Sequence, residues 1–468
     1  MGVAAFDLVG IIGYFAFVGI FAYLTRRTRT FSEFSLGGQK VPAVMIFSSL
    51  AATYIGPGYS VGFTAKAFTT GFAFWILALT YGFQTVLMGI YFAPRLAKNH
   101  RDCHTIGDVM AKHYGKFAQI LTGIVSVGLC IGFTAVMGKI GGILLQEITG
   151  WHLSISIAIV TLFTAVYTFT GGLRAVVATE GLQFSLFSII VPVMLVVAFL
   201  KSPGNAADLS GIASRLTSAG LSDLTGMQML GIAISFLLGE TLIPPYTNRA
   251  LAAKTSEATR KGFIAAGIYA FIWLAIVACL GVVAHQYMPS DTNPDSVFIQ
   301  MGKLLLPAGV FGLLLAALIA IVMSSQESVL NAGTVAVVRD IISVNRPLSD
   351  KLSLIIGRLG TILIAIIAVI VAGFSPSIID GLLICYSVWA PSVLLPFLLA
   401  LYLKKTSSLA GWLSIIMGAG TSILWQTILK EPAGVPAILV GLALSAAAYG
   451  FGHIFGQKNY PVSLGGVQ

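Results

Sequence analysis

Apolar runs of roughly 20 residues recur from one end of the chain to the other, and they constrain the fold more than any other feature. A bilayer core offers no water to backbone amides and carbonyls, so a chain that crosses it forms helices or a closed barrel. Continuous apolar runs of this length indicate helices. Of 468 residues, 57% are hydrophobic and 9% charged, and no polar stretch is long enough for a separate soluble domain. We predict an all-α polytopic membrane protein with a single domain over residues 1–468.

We place about thirteen transmembrane helices on the chain from the positions of these apolar runs. The predicted spans are 5–24, 42–68, 71–97, 117–147, 151–170, 174–200, 225–247, 262–285, 304–335, 353–373, 380–403, 409–428 and 434–455.

The basic residues are distributed unevenly between the two sides of the predicted membrane. Placing the N-terminus outside puts almost all of the 27 Lys and Arg residues in or beside alternate, cytoplasmic loops. The six exceptions are Lys66, Lys139, Lys201, Arg215, Lys303 and Lys430. This is the positive-inside distribution, and it explains the net charge of +10 without a nucleic-acid partner. We expect a multi-pass protein of the plasma or inner membrane, with its C-terminus in the cytoplasm.

Two of the predicted spans are interrupted near their middle. Gly56-Pro57-Gly58 interrupts span 42–68, and the segment Gly239-Glu240-Thr241-Leu242-Ile243-Pro244-Pro245 interrupts span 225–247. Proline lacks an amide donor and clashes with the preceding helical turn, while glycine loses backbone entropy in a helix. Interrupted spans at matching places in two halves of a chain are typical of a transporter binding site. The competing interpretation is that these residues only kink two helices.

The positions of the two breaks divide the chain into two halves of opposite orientation. Five predicted spans begin with each broken span, in 42–200 and in 225–403, and the two broken spans cross in opposite directions. This arrangement predicts an inverted repeat of five plus five helices. One extra helix, 5–24, precedes the repeat, and two helices in 409–455 follow it.

Hydroxyl groups on a neighbouring helix complete a set of oxygen atoms. Ser324, Ser325 and Ser328 lie on adjacent turns of span 304–335. A broken helix exposes backbone carbonyls, and carbonyls with hydroxyls form a site suited to Na⁺. Serines on a membrane helix also serve helix packing, and this alternative stands beside the first.

Four stretches of the chain, in order, resemble the sodium:solute symporter family. MSSQESVLNAGTVAVVRD (323–340) is similar to its Met-Ser-(Ser/Thr)-x-x-Ser signature, and GGLRAVVATEGLQ (171–183) is similar to its Gly-Gly-x-x-Ala-Val-x-x-Thr-Asp-x-x-Gln motif. SEFSLGG (32–38) resembles the family's first cytoplasmic loop, and RALAAK (249–254) resembles the loop after its second broken helix. The resemblance covers essentially the whole chain.

The resemblance implies a secondary active transporter that imports a small polar organic solute with Na⁺ by alternating access. Carried over by motif position, the sodium ligands are the carbonyls of Ala52, Ile55 and Ile321 and the hydroxyls of Ser324 and Ser325. All five ligands are oxygen atoms without formal charge, and this suits a monovalent ion that binds and leaves in each cycle.

Two buried carboxylates and a serine are candidates for a second ion site or a proton site. Glu180 stands where the family carries Asp, and Glu327 stands where members with a second sodium carry a hydroxyl residue. If Glu180 and Glu327 face each other, with Ser328 beside them, one of the two carboxylates can carry a proton. The other interpretation is that Glu327 points into the cytoplasmic vestibule and pairs with Arg339 or Arg174.

Solute contacts are expected at Gly56, Glu240, Tyr386 and Trp389. Glu240 lies in the second break, where family members commonly carry an aromatic gate residue, and a carboxylate there suits an amine-bearing or cationic solute. The alternative role of Glu240 is to cap amides freed by the break. No aromatic residue lies in the segment 240–243, so the break itself offers no stacking partner for a sugar.

Two other functions fit parts of the sequence beside sodium symport. A proton-coupled symporter that uses Glu180 and Glu327 is one alternative, and a transporter-like membrane sensor is another. An enzyme is not expected, because no nucleophile, nucleotide or metal constellation emerges, and the scattered cysteines lack metal-ligand spacing. The expected partners are the solute and the lipid bilayer. The solute's identity and the oligomeric state are left open by the residues.

Overall fold

The computed structural model describes residues 30–56, 58–71, 73–201, 225–346, 348–374 and 378–459, and a few residues of the first predicted span. Most of the predicted helix 5–24 therefore lies outside the described residues. What is described is almost entirely helical, with one two-residue strand pair, Thr406–Ser407 with Lys458–Asn459.

The helices are numbered here in chain order. They are α1 Phe31–Leu36, α2 Ala43–Tyr54, α3 Phe63–Thr70, α4 Ala73–Leu87, α5 Ala93–Asn99, α6 Ile106–Tyr114, α7 Lys116–Thr149, α8 Leu153–Leu200, α9 Gly226–Leu238, α10 Pro244–Ala252, α11 Ser256–Ala284, α12 Val297–Leu305, α13 Val310–Ala336, α14 Asp350–Ala372, α15 Ile378–Trp389, α16 Leu395–Tyr402, α17 Ser408–Ile423 and α18 Ala437–Phe455. Wider π-helical turns occupy Gly58–Gly62, Met88–Phe92, Val337–Ile342, Ala390–Leu394 and Leu424–Ile428.

Seven helical stretches among the described residues are long and apolar enough to cross a membrane. They are Lys116–Thr149, Ser256–Ala284, Val310–Ile342, Asp350–Ala372, Ile378–Tyr402, Ser408–Ile428 and Ala437–Phe455. Each overlaps one predicted span, so the prediction of a polytopic helical membrane protein is confirmed. The total of about thirteen spans stays a prediction.

The first predicted break is present in the structure. Helix α2 ends at Tyr54, Ile55 and Gly56 are not helical, and the chain continues through the π turn into α3 at Phe63. The Gly56 amide donates to the carbonyl of Thr53 at 3.0 Å instead of continuing the α-helical pattern. Each half is too short to cross a bilayer alone, and together they form one interrupted span.

The second predicted break is also present. Helix α9 ends at Leu238, and α10 begins with Pro244, a residue well suited to the first helical position because its missing amide has no partner there. Between them Leu242 has a φ of 48°, in the left-handed region that branched side chains avoid. The break therefore holds a strained backbone at the centre of the protein.

The helical segment α8, Leu153–Leu200, covers both predicted spans 151–170 and 174–200. Its first arm follows α13 in the same direction. Thr161 accepts a hydrogen bond from Gln326 at 3.2 Å, and further along both helices Ala165 shares an apolar cluster with Leu330.

The second arm of α8 runs in the opposite direction to α13. Glu180 accepts a hydrogen bond from Ser328 at 2.5 Å, and Lys201, at the end of the arm, donates to the carbonyl of Leu305, just before α13 begins. A straight helix cannot run both with and against the same neighbour. The contacts therefore place the two arms in opposite directions along α13, and each arm occupies one of the two predicted spans.

Helix α13 lies at the centre of the described structure. In its most apolar stretch, 94% of the residues are buried inside the protein. Because the helix is surrounded by protein, its serines and its glutamate face other helices and not lipid.

Candidate functional site

The hydroxyls of Ser324 and Ser325 are directed into the protein at the first break. Both side chains are buried, and neither hydroxyl has a hydrogen-bond partner among the described residues. Gly56 lies close to them: a Cβ added at Gly56 would approach the Ser325 Oγ to 2.9 Å. Buried hydroxyls are nearly always hydrogen-bonded, so two unpartnered ones on adjacent residues point to a ligand that binds there.

Backbone carbonyls of the first break complete this oxygen set. Because the Gly56 amide bonds to Thr53, it does not extend the helical pattern to Ala52, four residues before it. The carbonyl of Ile55 accepts from the Ser60 hydroxyl at 2.7 Å and keeps a second lone pair. Ile321 lies one helical turn before Ser325 and is fully buried. The residues present fit the predicted sodium site, whose assignment stays a prediction.

A buried ion pair lies one turn along α13 from the two serines. The guanidinium of Arg249, at Nη2, lies 2.6 Å from Oε1 of Glu180, and both side chains have no solvent-exposed surface. Ser328 donates to the same carboxylate, and Ser49 donates to its other oxygen. Glu180, predicted as a proton or second-ion ligand, is therefore bonded to an arginine and two hydroxyls.

Glu327 is fully buried in this structure, and its predicted position facing the cytoplasmic vestibule stays a prediction. Arg339, the partner suggested for it, pairs with Asp108 at 3.3 Å. The Arg174 side chain lies outside the described residues. Among the described residues, Arg249, Ser49 and Ser328 contact the Glu180 carboxylate, and a pairing of Glu180 with Glu327 stays a prediction.

Glu240 lies in a cage of four tyrosine side chains, Tyr59, Tyr81, Tyr246 and Tyr386, here called the tyrosine cage. At Oε1 it accepts from Tyr59 at 3.0 Å and from Tyr386, and at Oε2 from Tyr81 at 2.8 Å and Tyr246 at 2.6 Å. These donors are phenols, so the described contacts do not support the amide-capping role predicted as the alternative. The carboxylate is 2% exposed, and the six ion pairs of the described residues do not include it.

The rings of the cage pack against one another as well as bonding to the carboxylate. Tyr59 and Tyr81 are stacked, with ring centroids 4.2 Å apart and an interplanar angle of 19°. Phe236 and Phe133 lie against Tyr386 at 6.5 and 5.8 Å between centroids. The second break thus has aromatic faces around it after all, from the two helices that flank it and from other parts of the chain.

The residues predicted to contact solute divide between two places. Tyr386 belongs to the tyrosine cage, and the Trp389 indole contacts the second break by donating to the carbonyl of Thr241 at 3.4 Å. Gly56 lies against Ser325, at the predicted sodium site. Their roles in solute binding stay predictions.

Sequence reasoning missed three members of the cage and Arg249 as a buried cation. Tyr59 lies directly after Gly58, and Tyr246 lies directly after Pro245, so a search for aromatic residues beside the breaks would have found both. Tyr81 lies in the middle of an apolar span and carries no local signal. Its position beside Glu240, 159 residues away, depends on the packing of α4 against α9.

Comparison with known proteins places this arrangement in a family. The model of the sodium:solute symporter family matches residues 34–418, which is most of the chain. The chain belongs to the sodium:solute symporter family. The symporter is 26% identical over 445 residues to the sodium/glucose cotransporter of Vibrio parahaemolyticus, covering 85% of this chain and 79% of that protein. It is 28% identical over 438 residues to the high-affinity proline transporter of Bacillus subtilis (strain 168), covering 87% and 89%.

Solved structures of low sequence identity share the fold of the symporter. A Na⁺-coupled sialic acid symporter in a substrate-bound, outward-open state matches with a TM-score of 0.79 at 17% identity, covering 98% of this chain and 99% of that one. A structure of MhsT in complex with L-phenylalanine matches with a TM-score of 0.58, also at 17% identity. The predicted five-plus-five transporter fold is thereby confirmed.

Family membership confirms three further predictions. The symporter is a multi-pass membrane transporter, it is not an enzyme, and Na⁺ is its coupling ion. Relatives named for glucose and for proline match it about equally well, so membership does not choose the solute. That choice depends on the residues of this chain.

Proposed function

We propose that the symporter imports a small polar organic solute that carries a positive charge, such as an amine, together with Na⁺. Glu240 is the observation that carries this proposal. It is a buried carboxylate at the second break, and among the described residues no Lys, Arg or His forms an ion pair with it. A buried charge is costly unless it is paired, and a cationic solute supplies the missing partner.

The tyrosine cage supports the same class of solute. The negative faces of aromatic rings attract cations, and rings arranged as a cage are a recurring way of binding quaternary ammonium groups. The stacked pair Tyr59 and Tyr81 adds two such rings beside the carboxylate. Their hydroxyls hold the carboxylate in place until a solute ammonium takes over part of that role.

The first break provides a physical route for coupling solute to sodium. Gly56 lies against Ser325, and Tyr59, three residues later, donates to Glu240. A sodium ion that orders this short segment also positions Tyr59 for the solute. Coupling of this kind requires that the ion bind one conformation better than the other.

We extend the proposal to the sides of the membrane on which the two termini lie, and to the exclusion of a proton as coupling ion. Excess Lys and Arg in alternate loops supports an N-terminus outside and a cytoplasmic C-terminus, in the plasma or inner membrane. The bond between Arg249 and Glu180 argues against the proton-coupled alternative, because the carboxylate is already held in an ion pair with an arginine.

The test compares matched solutes that differ only in charge. Choline and its uncharged tert-butyl isostere, 3,3-dimethylbutan-1-ol, are added to the purified symporter in Na⁺ and in K⁺, with a panel of primary amines and their alcohols. We expect saturable thermal stabilisation by cationic members only, and only in Na⁺. Accumulation of the same solute in proteoliposomes with an inward Na⁺ gradient distinguishes a transporter from a sensor.

Glu240→Gln removes the charge while keeping the shape of the side chain. It is expected to weaken binding of the cationic solute at least tenfold, about 1.4 kcal/mol or more, with little effect on a neutral analogue. Glu257→Gln, a change to an exposed glutamate on α11, is the matched control. Preferential binding of neutral or anionic solutes, unaffected by Glu240→Gln, would contradict the proposal.

A further inference from the structure

Arg249 contacts oxygen atoms from four different parts of the protein. Its Nε donates to the Ser49 hydroxyl at 2.6 Å, and its Nη1 donates to the carbonyl of Pro245 at 3.0 Å. Its Nη2 lies 3.1 Å from the Thr53 hydroxyl, in addition to its contacts with Glu180 and Ser328 at 2.6 and 2.5 Å. The guanidinium therefore joins α10, which follows the second break, to α2, which precedes the first, and to α8 and α13.

The groups around this guanidinium are those that would hold a small metal cation. One carboxylate and three hydroxyls form a compact oxygen set, and hard cations such as Na⁺ prefer oxygen ligands. Ser324 and Ser325, the predicted sodium ligands, lie one helical turn from Ser328 on α13. A second mobile ion beside the first would be expected here if the position were open.

We propose that Arg249 is a tethered cation that permanently takes the place of a second coupling ion. Its positive charge neutralises Glu180, so the pair that the two side chains form has no net charge. The symporter then carries a single sodium ion in each cycle, at the site of Ser324 and Ser325. This inference does not depend on the identity of the solute.

The bonding within the cluster explains why a mobile ion does not join it. Oε1 of Glu180 is bonded to Arg249 and Ser328, and Oε2 is bonded to Ser49. Ser49 and Ser328 each donate to the carboxylate and accept from the guanidinium, so their oxygens are occupied as well. A second cation would have to leave water for a fully buried position that is already neutral, which is unfavourable.

The test counts sodium ions bound per chain, using sodium-22 on the purified, full-length symporter. Wild type is expected to bind one ion, and Arg249→Ala two, because removal of the guanidinium leaves a charged oxygen pocket. The additional ion is expected to disappear in Arg249→Ala with Glu180→Gln. Arg260→Ala, a change to a half-exposed arginine on α11, is the matched control and should keep one ion.

Methylguanidinium provides a second measurement on the same variants. At millimolar concentration it should raise the melting temperature of Arg249→Ala in a saturable way, and by more than that of the wild type or of the double variant, in which only the Glu240 site is open to a cation. One bound ion in Arg249→Ala together with no methylguanidinium effect would overturn the proposal.

Variants that leave Arg249 and Glu180 intact keep the proposal testable if Arg249→Ala does not fold. With the guanidinium in place, Ser324→Ala with Ser325→Ala should lower sodium affinity at least tenfold and leave no site with the wild-type affinity. A wild type that binds two ions, or a serine double variant that still binds one ion with wild-type affinity, would show that the Glu180 position takes a mobile ion, and the proposal would be wrong.

Discussion

At the scale of single residues, the symporter has two buried carboxylates that differ in whether a cationic side chain lies beside them. Glu180 has an arginine within 2.6 Å, whereas Glu240 has phenol hydroxyls and no cation among the described residues. Hydrogen bonds to a charged group contribute about 1.5–3 kcal/mol each, but they do not supply the opposite charge. On the proposals made above, the Glu180 charge is neutralised by Arg249, and Glu240 is the carboxylate left to bind a ligand.

The first residue-scale prediction concerns the sodium ligands. Ser324→Ala with Ser325→Ala removes two neutral oxygens, each making a net contribution of about 1 kcal/mol, and should raise the sodium concentration for half-maximal stabilisation at least tenfold. Measurement of melting temperature against Na⁺ concentration, with ionic strength held constant by K⁺, checks this.

The matched control for that prediction is Ser445→Ala. Ser445 is a buried serine of the C-terminal helix pair whose hydroxyl bonds to Ser414 at 2.8 Å. Its loss should lower stability slightly and leave the sodium dependence unchanged. If the double variant and wild type require the same sodium concentration, the assignment of Ser324 and Ser325 is incorrect.

At the scale of elements, both breaks depend on a glycine that lets a helix end against another side chain. A Cβ at Gly56 would lie 2.7 Å from the carbonyl oxygen of Thr53 and 2.9 Å from the Ser325 hydroxyl. A Cβ at Gly239 would lie 2.4 Å from the carbonyl oxygen of Ser235 and 2.4 Å from the Tyr386 side chain. Real Cβ atoms do not make such contacts, so each break would have to shift.

These two glycines allow a crossed experiment on the two breaks. Gly239→Ala should displace Tyr386 and weaken solute binding roughly tenfold or more, because overpacking of this kind costs about 1–3 kcal/mol. Gly56→Ala should instead displace Ser325 and weaken sodium binding. Calorimetric titration of each variant with Na⁺, and then with solute at saturating Na⁺, separates the two effects.

Gly420→Ala is the control for both variants, because a Cβ at Gly420 meets nothing within 4 Å. It should leave sodium and solute affinities unchanged. Equal losses of both affinities in Gly56→Ala and Gly239→Ala would show that the breaks do not act as separate ion and solute elements.

At the scale of the whole molecule, pH sensitivity arises away from the coupling site. His100 and His113, outside the membrane-spanning helices, are 6% and 7% exposed, with ring centroids 5.5 Å apart. Burial and the nearby Lys112 lower the pKa of His100 to about 4. Burial, repulsion by His100 and repulsion by Lys112 lower the pKa of His113 to about 4. Both side chains are therefore neutral in the folded protein at pH 7.

Because an unfolded histidine has a pKa near 6.5, the unfolded chain binds protons between pH 6.5 and 4 that the folded protein does not. Stability is thus complete above pH 6.5 and falls as the pH is lowered toward 4, by about 1.4 kcal/mol per pH unit for each proton. His113→Phe should flatten this dependence, whereas His152→Gln, at an exposed histidine, should not. Melting temperatures from pH 4 to 8 check the prediction, and an unchanged slope in His113→Phe would contradict it.

The histidine pair also affects how ion coupling is measured. A pH-dependent stability that is alike in Na⁺ and K⁺ would resemble proton coupling, although it comes from the histidines. Comparison of Na⁺ with K⁺ from pH 5.5 to 8.5 is therefore decisive only when it is repeated in His113→Phe.

Much of the architecture was predictable because it depends on local features of the chain. Membrane-length apolar runs predicted the spanning helices, and glycine and proline predicted both breaks within a few residues. The opposite directions in which the two arms of α8 pack on α13, and the distances between helices, carry no comparable local signal. The family motifs located Ser324 and Ser325, but not the groups that surround Glu240.

The sequence by itself determined that this chain crosses a membrane, where two of its helices break, and which helix carries the serines. These are local features, because backbone amides and carbonyls in lipid must be hydrogen-bonded within the protein and helices achieve this from neighbouring residues. Only the tertiary structure decided the partner of each buried charge. Arg249 and Glu180 are 69 residues apart, and Tyr386 and Glu240 are 146 apart. Helix packing decides which buried charged and polar groups pair with each other. Burying a charge without a partner costs desolvation energy, so only arrangements that pair the charges are favourable.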